Sequence, residues 1–293
     1  MLQDRWKQQI SAILSRLGMN ADITGLTPLS GGSISRAWKA ETTAGALLVK
    51  TGAPSDLPMF EKEAEGLNEI AATRTIPVPQ VYGCGMVETI SYIVMTFVQG
   101  DEASDTAERL GRGVAAMHAV TGDRFGFRHD NFIGRLPQPN GWCADWTTFL
   151  RDRRLGFQLE MAIRRGHMPV GRRKRMERLL ANLERWIPKG VAPSLLHGDL
   201  WGGNWVVGPG GQPHLIDPAV FYGDAEMELA FTELFGGFPA RFYDAYREVR
   251  PFDYNAYAER RLLYQLYYLL VHLNLFGESY GAAVDRVLAR YVG

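Results

Sequence analysis

The hydrophobic and polar positions of the first hundred residues predict two helices and a set of short strands. Apolar residues recur at helical spacing from about Leu2 to Leu17, and again from Pro58 onward, which predicts an amphipathic helix in each place. The remaining stretches read as strands, and turn signals such as Gly31-Gly32 separate them. The predicted strands cover residues 23–29, 35–41, 46–50, 78–84 and 91–98.

Beyond residue 100 the pattern is mostly helical. A helix is predicted to begin at Ser104, because acidic residues in its first turn suit the positive end of the helix dipole. Residues 194–218 are predicted as an insert of strands and loops. The pattern therefore predicts an α+β protein with a small antiparallel β-rich lobe, 1–98, and a larger, mainly helical lobe, 99–293. Further predicted helices cover residues 146–165, 171–186, 239–249, 254–276 and 280–291.

Composition narrows the class of protein without indicating a chemistry. The chain has 293 residues, 46% of them hydrophobic and 22% charged, which excludes disorder as the main state. Basic and acidic residues number 32 each, so no charge excess favours nucleic acid or an anionic membrane as a partner. No secretory signal is visible, the two cysteines are far apart, and the most apolar stretch, 262–276, is too short and polar to span a bilayer. These features predict a cytoplasmic protein.

The strongest chemical signal is the segment His197–Asn204, an H-x-D-x-x-x-x-N pattern that is followed by Ile216-Asp217-Pro218. Phosphoryl transfer needs one carboxylate to orient and deprotonate an acceptor hydroxyl, and oxygen ligands that hold Mg²⁺ against nucleotide phosphates. Asp199 can supply the first, and Asn204 with Asp217 the second. A lone H-x-D is usually a turn, but the combination favours phosphoryl transfer. It matches the catalytic loop and metal-binding Asp of kinases, with Gly in place of Arg and Pro in place of Phe.

Upstream residues point to nucleotide binding. Lys50 ends an apolar strand, which is where kinases carry their phosphate-binding lysine. Glu63 lies on the next predicted helix and could pair with Lys50, although Glu61 and Glu65 are alternatives there. Gly31-Gly32-Ser33 would alone indicate a simple hairpin. Because this segment comes shortly before a strand-terminal lysine, it is more typical of a loop that covers the nucleotide phosphates.

Together these motifs resemble those of the fructosamine kinase (ketosamine kinase) family, within the wider aminoglycoside phosphotransferase and protein-kinase-like fold. The resemblance runs in family order from residue 29 to residue 230. Asn131 to Gly134, Gln138, Asn140 and Trp201 are more particular to this family than the phosphoryl-transfer residues. The matching motifs are Gly31–Ser35, Leu48–Lys50, Met59–Leu67, Ile76–Pro79, Asp130–Gly134, Gln138, Asn140, Asp145–Phe149, Leu196–Trp201, Ile216–Ala219 and Tyr222–Ala230.

The resemblance implies a bilobal protein-kinase-like fold that uses ATP and Mg²⁺. It implies that Asp199 is the general base, that Asn204 and Asp217 ligate Mg²⁺, and that Glu63 holds a phosphate-binding Lys50. Trp201 is expected to form a wall for the sugar ring, because aromatic faces stack well on C–H bonds. The nucleotide loop is expected at Gly31, Gly32 and Ser33, and the adenine pocket at Met95 and the backbone of Thr96, Phe97 and Val98.

The implied acceptor is the 3-hydroxyl of a small-molecule or protein-bound ketosamine such as a fructosamine or ribulosamine. Its phosphorylated product releases the amine, which associates the family with protein deglycation. Two other hypotheses stay open: a kinase of another hydroxyl acceptor, such as an aminoglycoside or a choline-like amine, and a non-catalytic kinase-like module. The non-catalytic module is disfavoured because every residue that the chemistry needs is present. Oligomeric state is left open.

The chain departs from the family pattern at two places. Two further features, a basic run and a group of tyrosines, also lead to predictions. Ser33 stands where some family members have a cysteine that links subunits, so that redox link is expected to be absent. Gly202 or Gly203 replaces a serine of the catalytic loop. The basic run 172–175 is expected to be a solvated helix face. Tyr264, Tyr267 and Tyr268 are expected in the core or at its rim.

Overall fold

The computed structural model describes residues 2–29 and 36–293, which contacts divide into two units. The first unit comprises the described residues up to Thr106 together with Trp205–Pro218, and the second comprises Ala107–Asn204 with Ala219–Gly293. The division expected from chain order, at residue 98, therefore differs by residues 99–106 and by the segment 205–218.

The core of the first unit is a five-stranded antiparallel sheet in the order β1-β2-β3-β5-β4. Helix α1, through side chains such as Ile10, packs against one set of the sheet's side chains, and α2 packs against another set. Neighbouring residues of a strand point to opposite faces, so Val94 joins the α1 cluster while Ile93 and Met95 join the α2 cluster. The bounds are α1 Leu2–Arg16, β1 Ile23–Leu29, β2 Arg36–Thr42, β3 Gly45–Gly52, α2 Leu57–Thr73, β4 Val81–Val87 and β5 Ile90–Thr96.

Close backbone contacts hold the segment 205–218 within the first unit. Thr106 Oγ1 donates a hydrogen bond to the carbonyl of Gly211 at 2.7 Å. A Cβ atom on Gly100 would lie 2.1 Å from the carbonyl oxygen of Gly208, so only glycine permits this approach. Gly208 and Gly211 lie in the loop that connects β9 Trp205–Val207 with β10 Pro213–Leu215, and these two strands form a hairpin.

The second unit is mainly helical, and its longest helix, α9, is buried along most of its length. Two short antiparallel strand pairs, β6 with β7 and β8 with β11, position the loops between the helices. None of the helices in the described part of the chain has the length and apolar character that a membrane span requires. The bounds are α3 Thr106–His118, β6 Asn131–Ile133, β7 Leu136–Gln138, α4 Trp146–Phe149, α5 Phe157–Arg164, α6 Val170–Ala181, β8 Ser194–Leu196, β11 Phe221–Gly223, α7 Ala225–Leu234, α8 Ala240–Val249, α9 Tyr254–Phe276 and α10 Gly281–Val292.

The α+β prediction, with an antiparallel sheet first and helices after it, is confirmed, with three local differences. Helix α7 was not predicted, since most of its residues are buried and its sequence shows no clear amphipathic period. The fourth strand begins at Val81 rather than Val78, after two prolines that cannot donate ladder hydrogen bonds. The helix predicted over 146–165 is interrupted by a π-helical segment, Leu150–Gly156.

The basic run on α6 is not a uniformly solvated face, which corrects the prediction for Arg172. This side chain is only 3% exposed and donates to both carboxylate oxygens of Glu278 and of Asp285. The hydrogen bonds from Arg172 lower the pKa of each carboxyl group. Arg172 thereby ties α6 to the C-terminal helix α10. Tyr264, Tyr267 and Tyr268 of α9 are buried, as predicted.

We expect Arg172→Met to lower the free energy of unfolding by about 2 kcal/mol, because charge-assisted hydrogen bonds are lost while the carboxylates remain. Arg173→Met is the matched control, since Arg173 is exposed and pairs only along its own helix with Glu177. Its effect is expected to stay within about 0.5 kcal/mol. Urea unfolding of the two variants checks this, and equal midpoints would contradict the role of Arg172.

Candidate active site

The segment His197–Asn204 is a loop of the second unit that leaves the end of strand β8. Asn204 Nδ2 donates to the carbonyl oxygen of Asp199 at 2.8 Å and to its carboxylate Oδ2 at 3.0 Å. The backbone N–H of Asn204 donates to the carbonyl of Trp201 at 2.9 Å. The structure thus brings Asp199 and Asn204 together, and the amide group orients the carboxylate.

Gly198 is required by the geometry of this loop. Its φ is +86°, in the left-handed region, and a Cβ there would lie 2.0 Å from the carbonyl oxygen of Ala219. The backbone N–H of Ala219 in turn donates to the carbonyl of His197 at 2.8 Å. The loop is therefore pressed against the peptide of Ala219, which explains why this position carries no side chain.

A buried carboxylate on α7 anchors the start of the loop. Glu228 accepts hydrogen bonds from the backbone N–H groups of His197, at 2.9 Å, and Gly198, at 2.6 Å, and contacts His118 Nε2 at 2.9 Å. Burial alone would raise its pKa, but hydrogen bonds from His118 and Gly198 outweigh burial and hold the pKa of Glu228 below its ordinary value. The ring of His118 is held on its other side by the hydroxyl of Tyr246 at 2.8 Å.

Sequence reasoning did not single out Glu228 as a site residue. The available signal was an acidic residue within the apolar stretch that follows Asp224. An acidic residue in such a stretch is expected to be paired, since an unpaired buried carboxylate is costly.

In the first unit, Lys50 on β3 meets two carboxylates. Its Nζ lies 2.7 Å from Oε1 of Glu63 on α2 and also contacts Oδ1 of Asp217. Burial opposes the charge on Lys50, yet the two carboxylates raise its pKa, so the ammonium group stays charged. Burial is also the main effect on Glu63 and raises its pKa to about 7 against the pull of Lys50. Glu63, rather than Glu61 or Glu65, is the acid that meets the lysine.

Asp217 differs from Glu63 in its exposure and its backbone. Its side chain is 46% exposed, whereas that of Glu63 is 15% exposed. Its φ of 55° lies in the left-handed region, which non-glycine residues rarely adopt and which is frequent at functional sites. Asp217 is thus the carboxylate of this cluster that is open to a further ligand.

The residues predicted to bind adenine lie at the end of β5. Met95 is buried against α2. The backbone N–H of Thr96 donates to the carbonyl of Gln80 and that of Phe97 to the carbonyl of Ala46, so both N–H groups already have partners within the protein.

Of the remaining predicted residues, Trp201 is described by the structure and the three residues of the nucleotide loop are not. Gly31, Gly32 and Ser33 lie outside the described residues. Trp201 is 42% exposed, and a Cβ on Gly203 would come within 2.4 Å of its ring. The ring therefore explains why glycine occupies position 203.

An H-x-D-x-x-x-x-N loop in a helical unit, with a Lys–Glu–Asp cluster under an antiparallel sheet, defines a phosphotransferase of the protein-kinase-like fold. Solved structures bear out the fold: aminoglycoside phosphotransferase APH(4)-Ia aligns with a TM-score of 0.64 at 18% identity, covering 97% of this chain and 98% of that one. A protein of Haemophilus somnus provisionally named a fructosamine-3-kinase aligns with a TM-score of 0.85 at 29% identity, covering 97% and 96%.

The family follows from the sequence comparisons. The family model described as fructosamine kinase matches residues 5–293. An Enterococcus faecium protein provisionally named a ketoamine kinase is 37% identical over 289 residues, covering 96% of this chain and 99% of that protein. The chloroplastic protein-ribulosamine 3-kinase of Oryza sativa subsp. indica is 39% identical, covering 94% of this chain and 81% of that protein. The chain belongs to the fructosamine kinase family, as its motifs predicted, and is a kinase that phosphorylates a hydroxyl group.

We expect Glu228→Gln to lower the free energy of unfolding by about 2 kcal/mol, because one of its backbone N–H donors would face an amide nitrogen. Since the pKa of Glu228 is lowered, its contribution is present at neutral pH and is lost as the pH falls below about 4. The gap between wild type and variant should therefore narrow in acid.

Urea unfolding at a series of pH values measures this gap. Glu160→Gln is the control, since Glu160 is 70% exposed on α5 and should shift stability little. A gap that is independent of pH would show that the charge of Glu228 is not what anchors the loop.

Proposed function

We propose that this kinase transfers the γ-phosphoryl group of ATP to the 3-hydroxyl of a ketosamine, free or protein-bound, in deglycation. The observation that carries the proposal is an orienting pair, Asp199 with Asn204, in a chain that matches the fructosamine kinase family over nearly its whole length. The names of the relatives, ketoamine kinase and ribulosamine 3-kinase, support the acceptor class and the position of transfer.

Asp199 is the proposed general base. The hydrogen bond from Asn204 Nδ2 fixes one carboxylate oxygen, so the carboxylate has a defined direction toward an incoming hydroxyl. A positioned base of this kind accepts the hydroxyl proton as the oxygen attacks phosphorus. Glu228 anchors the backbone of His197 and Gly198, and this fixes the point in the loop from which the Asp199 side chain extends.

Lys50 is proposed to bind the nucleotide phosphates, with Glu63 holding its ammonium group. Asn204 and Asp217 are the proposed ligands of Mg²⁺, which prefers oxygen donors and neutralises phosphate charge when bound. Asn204 uses its amide nitrogen on Asp199, which leaves the amide oxygen for a cation, and the exposed carboxylate of Asp217 is the second donor. In the chain, Asn204 directly precedes β9 and Asp217 follows β10.

Met95 and the backbone from Thr96 to Val98 are proposed to bind adenine. Because the N–H groups of Thr96 and Phe97 are used within the sheet, the N–H of Val98 is the proposed donor to the base. Gly31, Gly32 and Ser33 are proposed to cover the phosphates. The exposed ring of Trp201, two residues from Asp199, is the proposed wall for the sugar.

The acceptor class is tested by ADP release with ATP and Mg²⁺ on a panel of ribulosamines, fructosamines, plain sugars, aminoglycosides and choline. We expect turnover of the ketosamines alone, with phosphate on the 3-oxygen by ³¹P NMR of the product. Turnover of an aminoglycoside or choline without the ketosamines would replace the acceptor and keep the kinase. Nucleotide binding without turnover of any acceptor would contradict the proposal.

We expect Asp199→Asn to reduce kcat by about 10²–10⁴-fold, because the base is lost while the shape is kept. The affinity for ATP, measured by calorimetry with Mg²⁺, should be unchanged, whereas Asp217→Ala should weaken it. Asp244→Asn on α8 is the control, since its carboxylate is 62% exposed. Turnover of Asp199→Asn near the wild-type rate would exclude Asp199 as the base.

A further inference from the structure

Arg154 is a buried cation whose hydrogen-bond partners in the described part of the chain include no carboxylate. Its guanidinium lies 4.6 Å from the ring centroid of Phe149 and 4.0 Å from that of Phe221. It donates to the carbonyl oxygen of Pro139 and to Oδ1 of Asn140, both at 2.7 Å, while its Nε has no partner in the described part of the chain. Burial lowers its pKa to about 10, so it stays charged at neutral pH. Such a group is a poor choice for stability alone, because desolvating a charge is expensive.

Arg154 lies within a local distortion of the helix. The π-helical segment Leu150–Gly156 changes the angular spacing of its residues, and Arg154 is buried while its neighbour Arg153 is exposed. A Cβ on Gly156 would lie 2.7 Å from the carbonyl oxygen of Arg151, so glycine accommodates the wider turn. π-helical turns often occur at functional sites.

Arg154 sets the direction of a network of buried amides, which we call the amide network: Asn131, Gln138 and Asn140. A guanidinium can only donate, so the oxygen of Asn140 must face it and the Nδ2 of Asn140 must point onward. That nitrogen donates to Oδ1 of Asn131 at 2.9 Å, and Gln138 Nε2 donates to the same oxygen at 2.8 Å. Because Oδ1 of Asn131 faces these two donors, its Nδ2 points away from them and can donate to a further acceptor.

The amide network ends on the backbone beside the catalytic loop. Asn131 Nδ2 donates to the carbonyl of Val220 at 2.9 Å, and Gln138 Nε2 donates to that of Ala219 at 3.0 Å. The Ala219 carbonyl is the group that approaches the Cα of Gly198, and the Ala219 N–H bonds the carbonyl of His197. A change in the amide network would therefore move the backbone immediately before Asp199.

We propose that Arg154 is a positioning residue for phosphoryl transfer, acting through the amide network on Ala219 and the catalytic loop. The role in transfer rests on the proposed function. It also assigns a scaffold role, rather than sugar recognition, to Asn131, Gln138 and Asn140, the residues that are more particular to this family. All three are buried, at 5%, 1% and 0% exposure.

The kinetic test uses Arg154→Met, Arg154→Lys and the control Arg153→Met. Arg154→Met should lower kcat by roughly tenfold to 10²-fold, since small misplacements of a catalytic group have effects of this size. KM for ATP should stay within about twofold, because an interaction lost only in the transition state changes kcat alone. Arg154→Lys, which still donates to Asn140, should recover part of the loss, and Arg153→Met should match the wild type.

Gln138→Met tests the other end of the amide network and replaces Arg154→Met if that variant does not fold. It removes the donor to Ala219 with little change in shape, and it should give the same loss of kcat. The two changes combined should cost less than the product of their separate effects, because they break one chain of interactions. Folded variants with the wild-type kcat, or with losses that multiply, would overturn the proposal.

Hydrogen exchange gives a readout that needs no substrate. Arg154→Met, or Gln138→Met in its place, should speed exchange in peptides covering residues 195–204 and leave peptides of α10 unchanged. If the wild type phosphorylates no ketosamine, the proposed function fails, yet this exchange pattern still decides whether Arg154 positions the loop. Unchanged exchange over residues 195–204 in a folded variant would refute that role.

Discussion

The contact between Ala219 and the His197-Gly198 peptide is the constraint on which the catalytic loop depends. The Ala219 carbonyl excludes any side chain at position 198, and its N–H bonds the carbonyl of His197. Glu228 holds the same two residues from α7. Asp199, the proposed general base, thus follows a backbone that is fixed from two sides, and such preorganisation would support catalysis by reducing reorganisation during the reaction.

Two buried charges support this arrangement in opposite ways. Glu228 is an anion surrounded by donors, and its hydrogen bonds offset the penalty of burial. Arg154 is a cation that meets only neutral acceptors and aromatic faces, so burial dominates its pKa. Polar networks in a low dielectric lend specificity when every member has a partner. The described contacts of the amide network satisfy most of its donors, and they end on the backbone that the loop contacts.

Sequence and structure agree on contacts that follow from local spacing. Lys50 lies near the end of strand β3 and Glu63 follows on the next helix, and the two side chains meet at 2.7 Å as their order suggests. Agreement fails where burial removes the periodic signal. Most residues of helix α7 are buried, the polar Glu228 and Thr232 among them, so its sequence shows no clear amphipathic pattern, and the contacts of Glu228 were missed with it. The π-helical segment was also missed, because its composition does not differ from that of an α-helix.

The sequence by itself determined the fold class, the family and the chemistry, since these depend on residue types in a fixed order along the chain. The tertiary structure decided which polar side chains act at a distance. Nothing in the spacing shows that Arg154 is buried and Arg153 exposed, or that the side chains of Asn131, Gln138 and Asn140 donate to backbone carbonyls. The physical reason is that a buried polar group takes its role from partners that lie far away in sequence, and only packing brings those partners together.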